Sequence, residues 1–356
     1  MEKHDLCQVF LIDNEFSMAL LPRLTTDHRM THAFEPDFSS LLVQHKSQIA
    51  KDIWHFKLVH PQGQALPSFK AGAHITVQTP AGQRRNYSLC NDPADTNFCD
   101  IAVKLEKNGR GGSQSMVDDV QTGDLLSVSS PRNDFELIDN ANEVIFIAGG
   151  IGVTPLLSMA RQMARNKAET GQGHFRFYYC ARDAEGAAFM PELLTLESAG
   201  QVIFHFDGGN PDAGLDFWPL LEKPSQAHIY CCGPQGLMDA VRDMSGHWPQ
   251  GRVHFESFGA SASSQAVNSP FSIKLSQSQT VLPVAETESI LEALRKAGYR
   301  IPSSCESGTC GSCKTNLVSG AVEHRDFVLN EAEKSTHIMV CVSRASSPND
   351  LIEIEL

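Results

Sequence analysis

Cys305-Glu-Ser-Gly-Thr-Cys310-Gly-Ser-Cys313 is the stretch that decides the fold of the C-terminal part of this chain, and a single cysteine, Cys341, follows it. The spacing is C-x4-C-x2-C with a fourth cysteine well downstream, which is the plant-type ligand set of a [2Fe–2S] cluster. Glycine and serine between the cysteines let the backbone wrap closely, so that its N–H groups can point at the sulfurs. The four thiolates are therefore predicted to hold two irons.

Two alternatives to the cluster are weaker. A zinc site would be expected to show two C-x2-C pairs, and only Cys310 and Cys313 form one. A disulfide framework is typical of small secreted chains, whereas this chain has 356 residues. Because an iron–sulfur cluster moves one electron at a time, the rest of the chain is expected to show where electrons enter and leave.

The overall composition is that of a globular protein without a nucleic-acid or membrane partner. Hydrophobic residues make up 41% of the chain, and the formal net charge is −13. This negative balance argues against binding to nucleic acid or to an anionic membrane surface. No segment approaches the ~20 continuous apolar residues that span a bilayer, and the residues after Met1 lack a secretory pattern. The cysteines outside the motif show no disulfide spacing, which predicts a reducing, cytoplasmic location; they are Cys7, Cys90, Cys99, Cys180, Cys231 and Cys232.

The apolar pattern predicts three domains after an N-terminal extension. Residues 1–40 are expected to form a poorly ordered extension. Short strand patterns separated by turn residues predict an antiparallel β-barrel of about six strands over residues 41–138. Residues 139–258 alternate buried strands with helices, which predicts a doubly wound parallel α/β sheet. A small, polar linker over 259–270 leads to a compact mixed domain over 271–356, with a hairpin, an amphipathic helix and the cysteine loop.

Two motifs in the predicted barrel favour a flavin phosphate site. Arg85-Asn-Tyr-Ser88 offers an arginine and a hydroxyl to a phosphate, and places a tyrosine beside a flat ring. Gly109-Arg-Gly-Gly-Ser113 is a glycine-rich turn before a short helix, and such a turn presents backbone N–H groups to an anion. For each motif by itself, an ordinary exposed strand or a plain loop stays open as the alternative.

Two glycine motifs lie at strand ends of the predicted parallel sheet. Gly149-Gly-Ile-Gly152-Val-Thr-Pro155 joins a strand to a helix, where close backbone approach and the helix N-terminus favour an anionic ligand. It departs from the G-x-G-x-x-G dinucleotide fingerprint. Cys232-Gly-Pro-Gln-Gly236 ends a later strand and is expected to flank the same crevice. A tight structural turn stays open as the alternative for both.

Taken together, these motifs resemble the phthalate dioxygenase reductase family, a group of ferredoxin-reductase-like proteins that includes vanillate demethylase reductases. The resemblance runs from about residue 41 to residue 356. It is strongest in Asp216-Phe-Trp218, Gly246-His-Trp-Pro249, Val253-His-Phe-Glu-Ser-Phe-Gly259 and Pro302-Ser-Ser-Cys-Glu-Ser-Gly-Thr-Cys310. It implies an FMN-binding barrel, an NADH-binding domain and a C-terminal β-grasp plant-type ferredoxin domain, in that order.

The resemblance also implies roles for individual residues. FMN would be bound by Arg85, Tyr87, Ser88, Ala102, Val103 and Lys104, with its phosphate at Gly111, Gly112 and Ser113 and its ring system beside Phe258. The nucleotide would be bound by Gly149, Gly150, Gly152, Thr154, Pro155, Cys232, Gly233 and Pro234. Among these, Thr154 and Cys232 would lie next to the reacting nicotinamide. Asp207 would favour the ribose hydroxyls of NADH over a 2′-phosphate. The cluster ligands would be Cys305, Cys310, Cys313 and Cys341.

The implied reaction takes a hydride from NADH onto FMN and passes single electrons through the [2Fe–2S] cluster to a terminal oxygenase. The expected partner is a Rieske-type aromatic-ring oxygenase, most directly phthalate dioxygenase. FMN is the converter, because nicotinamide delivers two electrons together. The alternatives are a reductase for a vanillate-type O-demethylase or another aromatic oxygenase, and, more distantly, a non-enzymatic redox sensor. Glu306, Ser307 and Thr309 lie on the cysteine loop and are candidates for contact with the partner.

Overall fold

The computed structural model describes residues 38–107, 109, 111–139, 141–258 and 268–356. Most of the predicted extension, including Cys7, and most of the predicted linker lie outside the described residues. In the part of the chain that is described, no helix has the length and apolar character required to cross a membrane. The first strand begins at Phe38, three residues before the predicted start of the first domain at residue 41.

The first domain is an antiparallel barrel, as predicted. Its strands have the spatial order β4-β3-β6-β1-β2-β5, and a bridge between Leu89 and Ile101 joins the two ends of the sheet. Alternate residues point inward and form a core that includes Val43, Phe56 and Val77. The elements are β1 (Phe38–Ala50), β2 (Ile53–Val59), β3 (His74–Gln78), β4 (Arg84–Ser88), β5 (Cys99–Lys104), the helix α1 (Gly112–Asp118) and β6 (Leu125–Ser129).

The second domain is a parallel five-stranded sheet with the order β11-β10-β7-β8-β9. The chain runs from β7 to β9 in one direction and returns to β10 on the other side of β7, so the topological switch lies between β7 and β10. The strands are β7 (Glu143–Gly149), β8 (His174–Ala181), β9 (Gly200–Phe206), β10 (His228–Cys232) and β11 (Val253–Glu256). The helices are α2 (Val153–Thr170), α3 (Met190–Leu194), α4 (Trp218–Leu221) and α5 (Gln235–Ser245), with 3-10 turns at Gly150–Gly152 and Pro211–Ala213.

The barrel and the parallel sheet share one continuous hydrophobic core. Ile53 and Phe135 from the barrel side pack in the same cluster as Phe146 and Phe175 of the sheet. On α2, Ser158 Oγ also donates to the carbonyl of Asn91 in the barrel at 2.8 Å. Shared apolar burial of this kind holds two domains in one fixed arrangement.

The third domain is a mixed β-grasp fold with its own core. Its sheet has the order β13-β12-β18-β14-β16, in which β12 and β18 run parallel, and α6 packs against it. A capping box starts α6: Ser289 Oγ accepts from the Glu292 amide, and the Glu292 carboxylate accepts from the Ser289 amide. The elements are β12 (Phe271–Leu275), β13 (Val281–Val284), α6 (Ile290–Lys296), β14 (Lys314–Ser319), β15 (Val322–Glu323), α7 (Glu331–Lys334), β16 (His337–Met339), β17 (Arg344–Ala345) and β18 (Leu351–Ile354).

Candidate functional site

The three cysteines of the loop and the downstream Cys341 are arranged as two pairs. The Cys305 amide donates to Cys310 Sγ at 3.4 Å, and the Ser307 and Thr309 amides donate to Cys305 Sγ at 3.4 and 3.5 Å. The neighbouring Cys310 thiol, together with donors on Ser307 and Thr309, lowers the pKa of Cys305 to about 4 in spite of burial. Amide donors that point at sulfur stabilise the thiolate, which is the form that binds metal.

The second pair joins the loop to the downstream cysteine. Hydrogen bonding from Cys341 lowers the pKa of Cys313, and the same contact together with burial raises the pKa of Cys341. Within the described ranges, no three His, Cys, Asp or Glu side chains are grouped as ligands of a single metal ion. Two separate pairs of sulfurs instead fit a binuclear [2Fe–2S] cluster better than a single tetrahedral zinc ion, because each iron would then receive two cysteines.

The predicted partner-contact residues of this loop have different environments. Glu306 is exposed but is held by Arg295, whose guanidinium lies 2.6 Å from its carboxylate. Thr309 is half-buried in a cavity at the junction with the other domains. Ser307 is buried, because the loop folds its side chain inward, so the expectation of a surface role is wrong for Ser307.

In the barrel, the two predicted flavin motifs come together. A Cβ added to Gly112 would lie 2.9 Å from Arg85 Nε, so the guanidinium passes directly against the start of α1. Gly111 has a φ of 87°, a left-handed conformation that suits glycine, and turns the chain into this helix. Ser113 Oγ accepts from the Glu106 amide at 3.0 Å, so its own proton can be donated elsewhere. A guanidinium, a helix start and a hydroxyl are suitable groups for one phosphate.

Tyr87 and Ser88 are the last two residues of β4, which also carries Arg85. Burial raises the pKa of Tyr87 to about 12, so its ring is neutral and sits in an apolar environment. Ser88 is buried, and its Oγ has no hydrogen-bond partner among the described residues. A buried hydroxyl without a partner is costly unless a ligand satisfies it, which fits a polar ring edge at this position.

The other predicted flavin residues are spread along the barrel edge and beyond it. Ala102 and Val103 are buried on β5, which closes the sheet beside β4. Lys104 is exposed and pairs with Glu106 at 2.9 Å. Phe258 follows β11, and 46% of its surface is exposed, as expected for an aromatic ring that covers a ligand rather than filling the core.

In the parallel sheet, the two glycine motifs touch each other at the switch point. A Cβ on Gly152 would lie 2.1 Å from the Cys232 carbonyl oxygen, and one on Gly149 would lie 2.5 Å from Pro234 Cδ. Likewise, a Cβ on Gly233 would lie 2.9 Å from Gly149 Cα. Close packing of two backbone turns therefore requires these glycines, whereas Gly150 has open space around it. The tight-turn alternative therefore holds for both motifs, and the two packed turns form a floor at the strand ends next to the switch point, where sheets of this kind bind their ligands.

Thr154 and Cys232, predicted beside the nicotinamide, lie on the two sides of this floor. Thr154 is buried in the first turn of α2 next to Pro155, and its Oγ1 donates to the Ile151 carbonyl at 3.1 Å. Burial raises the pKa of the Cys232 thiol well above its usual value, so it is a neutral thiol rather than a nucleophile. Such groups can position a substrate ring without adding acid–base chemistry.

Asp207 directly follows β9 at the same edge of the sheet. Its Oδ1 accepts from the Gly209 amide at 2.7 Å, so one carboxylate oxygen shapes the turn. The predicted contact with ribose hydroxyls would therefore have to use the other oxygen. The predicted preference for NADH over a nucleotide with a 2′-phosphate would depend on the negative charge of this carboxylate.

Sequence patterns alone did not identify Glu256 as a site residue. It lies on β11 opposite Cys232 in the strand register, is buried, and has an Oε2 without a hydrogen-bond partner among the described residues. Burial, together with the nearby Cys305 and Asp134, raises its pKa to about 8, so it holds a proton at neutral pH. The signal in the sequence was a single acid inside the strand Val253-His-Phe-Glu256.

Flavin, nucleotide and iron–sulfur sites in one chain define an electron-transferring oxidoreductase. Three family models match along the chain in the order that the fold shows. An oxidoreductase FAD-binding domain covers residues 40–137, an oxidoreductase NAD-binding domain covers 146–208, and a 2Fe-2S iron-sulfur cluster binding domain covers 273–346.

Comparison with known proteins gives the family. The chain is 54% identical over 326 residues to a phthalate dioxygenase reductase of Burkholderia cepacia, covering 91% of this chain and 100% of the relative. It is 37% identical over 305 residues to a vanillate O-demethylase oxidoreductase of a Pseudomonas strain, covering 84% of this chain and 94% of the relative. The solved structure of a phthalate dioxygenase reductase matches with a TM-score of 0.69 and 53% identity, over 90% of this chain and 98% of that one. The chain belongs to the phthalate dioxygenase reductase family.

Proposed function

We propose that this protein is the NADH-dependent reductase component of a Rieske-type aromatic-ring dioxygenase, with phthalate dioxygenase as the partner. The observation that supports it most is that the cluster domain contacts both other domains beside its paired cysteines, through Ser304 next to Cys305 and through Phe327, whose amide is bonded to Gly308 of the cysteine loop. Ser304 donates to Asp134 at the end of the barrel, and Phe327 packs on Phe255 of β11. An electron exit beside both the flavin and nucleotide domains is what a reductase needs. The relatives named as phthalate dioxygenase reductases support the choice of partner.

The flavin in this proposal is FMN. Arg85 and the start of α1 converge on one place, which suits a single terminal phosphate. Tyr87 would pack against the ring system, and Ser88 Oγ would find the partner that it otherwise lacks. Gly111, Gly112 and Ser113 would supply amide and hydroxyl donors to the phosphate, and Ala102 to Lys104 would border the ring on β5. Phe258 would cover its outer face.

The nucleotide in this proposal is NADH. Gly149, Gly150, Gly152 and Pro155 on one turn, and Gly233 and Pro234 on the other, would form the floor under it. Thr154 and Cys232 would orient the nicotinamide, and the Asp207 charge would disfavour a 2′-phosphate. When bound, nicotinamide supplies a hydride, the flavin accepts two electrons and releases them singly, and a cluster held by Cys305, Cys310, Cys313 and Cys341 accepts one at a time.

Two measurements test the cofactors. Flavin released from the purified protein should have the mass of FMN, and a mass of FAD would contradict that part of the proposal. Anaerobic titration with NADH should bleach both the flavin and the iron–sulfur absorbance, whereas an equal concentration of NADPH should act much more slowly. A cluster absorbance that stays unchanged with NADH would refute the electron pathway.

The partner is tested by reconstitution. The purified reductase is mixed with a phthalate dioxygenase and, separately, with a vanillate-type O-demethylase oxygenase, and product is measured with NADH. We expect faster turnover with the phthalate enzyme. Faster turnover with the demethylase would favour the second class of relatives, which are 36–37% identical. We also propose a cytoplasmic location, because none of the nine described cysteines forms a disulfide, which suits a reducing compartment.

A further inference from the structure

The cluster domain is attached to the rest of the protein differently from the way the first two domains are joined. The barrel and the nucleotide domain share one hydrophobic core, whereas the cluster domain has a core of its own. From the cluster domain, Phe327 reaches the second core of the nucleotide domain and packs among its residues. Phe327 is therefore an apolar link across a domain boundary.

Phe327 is held on the nucleotide domain by an aromatic ring and a guanidinium. Its ring centroid lies 5.3 Å from that of Phe255 on the edge strand β11, with an interplanar angle of 32°. The Arg242 guanidinium of α5 lies 5.2 Å from the Phe327 centroid, and Asp239 fixes that guanidinium at 2.8 Å. Aromatic and cation–π contacts are both directional, so they define a position as well as an affinity.

The backbone of Phe327 is in turn bonded to the cysteine loop. Its amide donates to the Gly308 carbonyl at 2.9 Å. The adjacent Asp326 has a side chain with 0% exposure, and its Oδ1 accepts from the amides of Val328 and Leu329 at 3.1 and 2.8 Å. A Cβ on Gly308 would lie 3.2 Å from Asp326 Cα, so the two segments are closely packed. A shift of Phe327 would thus move the loop that bears Cys305.

An open cavity lies beside these contacts. It has a volume of about 190 Å³, lies between the barrel, β11 and the cluster domain, and is lined by Phe255 and Phe327 as well as by Glu136, His254 and Thr309. On its barrel side, Ser304 donates to the exposed carboxylate of Asp134. Where a gap of this size replaces close packing, few dispersion contacts fix the domains, and each directional contact carries more of the positioning.

We propose that Phe327 is a positioning residue that seats the cysteine loop on the nucleotide domain and thereby sets the rate of internal electron transfer to the cluster. This inference rests on the proposed function. Two electrons enter from NADH as one hydride and leave the flavin one at a time, each reducing the cluster by one electron before an acceptor reoxidises it. Phe327 has no part in the hydride step in this proposal, because it contacts Phe255 and Arg242, which are not among the residues assigned to the flavin or the nucleotide.

The test compares the two steps in the holoprotein by anaerobic stopped-flow after mixing with NADH. Phe327→Ala should leave the rate of flavin bleaching within about twofold and slow cluster reduction about tenfold, since loss of both contacts reduces the docked fraction by roughly that factor. Phe327→Tyr should restore the rate. Tyr299→Ala is the matched control, because Tyr299 is a half-buried aromatic of the same domain whose hydroxyl contacts Ser278 instead.

Two further readouts separate positioning from damage to the fold. The electron paramagnetic resonance spectrum of the reduced cluster should be unchanged in Phe327→Ala. Phe255→Ala removes the same contact from the nucleotide domain and should slow cluster reduction similarly, and the double variant should be no slower than the slower single variant. If Phe327→Ala does not assemble its cluster, Phe255→Ala alone decides.

Three results would overturn the inference: normal cluster reduction in both alanine variants, equal slowing of both steps, or additive effects in the double variant. These outcomes differ from failure of the proposed function. That failure would appear in the wild-type protein, as a missing flavin or cluster or as no response to NADH.

Discussion

Replacing Gly152 by alanine should destabilise the protein and weaken its binding of NADH. Gly152 has φ −60° and ψ −6°, a conformation that alanine adopts readily, so the backbone itself is not strained by the change. The cost is steric. The new Cβ would lie 2.1 Å from the Cys232 carbonyl oxygen, 2.5 Å from its carbon and 2.9 Å from the Gly233 nitrogen.

The magnitude follows from how firmly the two backbones are held. An ordinary carbon–oxygen contact is more than 1 Å longer, and both segments are fixed by the parallel pairing of Ala148 with Cys232. Overpacking usually costs about 1–3 kcal/mol, and a clash with backbone lies at or above the upper end, so we expect a loss of about 3 kcal/mol. In a domain of this size that loss lowers Tm by about 6–12 °C.

The assay combines thermal unfolding of the holoprotein with NADH–ferricyanide activity, which reports flavin reduction without the cluster. Since the clash separates the two turns that form the crevice floor, KM for NADH should rise at least about fivefold, a loss of about 1 kcal/mol in binding. The matched control is Gly236→Ala. Gly236 lies in the first turn of α5 with no heavy atom within 4 Å of a Cβ, so this variant should keep KM and melt at an equal or higher temperature. A Gly152→Ala protein with the Tm and KM of the wild type would refute the close approach of the two turns.

Other changes affect the cluster and the buried ionisable groups. Cys310→Ser should keep NADH–ferricyanide activity within about twofold and abolish cytochrome c reduction, because a serine hydroxyl is a poor ligand for iron. The control variant Cys180→Ser, outside the loop, should retain both activities. Cytochrome c reduction by Cys310→Ser would contradict the ligand assignment. Burial and His228 lower the pKa of His254 to about 4, so on acidification this imidazole is protonated in the unfolded chain before it is protonated in the folded one. The free energy of unfolding should therefore fall on the order of 1–2 kcal/mol as pH drops from about 6.5 to 4. His254→Asn should flatten this slope in a pH series of urea melts. Glu256 should give the opposite pH dependence, because its raised pKa of about 8 means that stability falls as pH rises between about 4.5 and 8. Glu256→Gln should have a free energy of unfolding on the order of 2 kcal/mol higher than the wild type at pH 9, but not at pH 5. Equal urea midpoints for wild type and Glu256→Gln at pH 9 would show that this carboxyl is not buried as the structure describes.

The parts of the site that could be predicted from sequence are those whose chemistry is local. The cysteine spacing specifies four sulfur donors with flexible glycine and serine between them, and the loop does direct two amides at Cys305. Strand and helix periods likewise predicted six barrel strands and an alternating α/β sheet, because inward-facing residues recur with the period of the element. Glycine motifs at strand ends were recognised for the same reason, although their spacing alone did not separate a ligand site from a packed turn.

Other features depend on contacts between distant segments and could not be read from local patterns. The burial of Ser307 and the use of Asp207 in its own turn follow from how each loop folds back. Glu256 has a raised pKa chiefly because it is buried, and also because Cys305 and Asp134 from two other domains lie near it. No periodicity in the strand predicts such neighbours.

The chemical groups that this protein carries and the order of its domains could thus be read from neighbouring residues, because ligand type, turn chemistry and apolar period are local properties. How those groups meet depends on the packing of the folded chain. That packing paired Cys305 with Cys310 and Cys313 with Cys341, and it joined Ser304 to Asp134 across 170 residues of chain. Such contacts arise from the packing of whole sheets and domains, whose burial energy is summed over many side chains rather than encoded at any one of them.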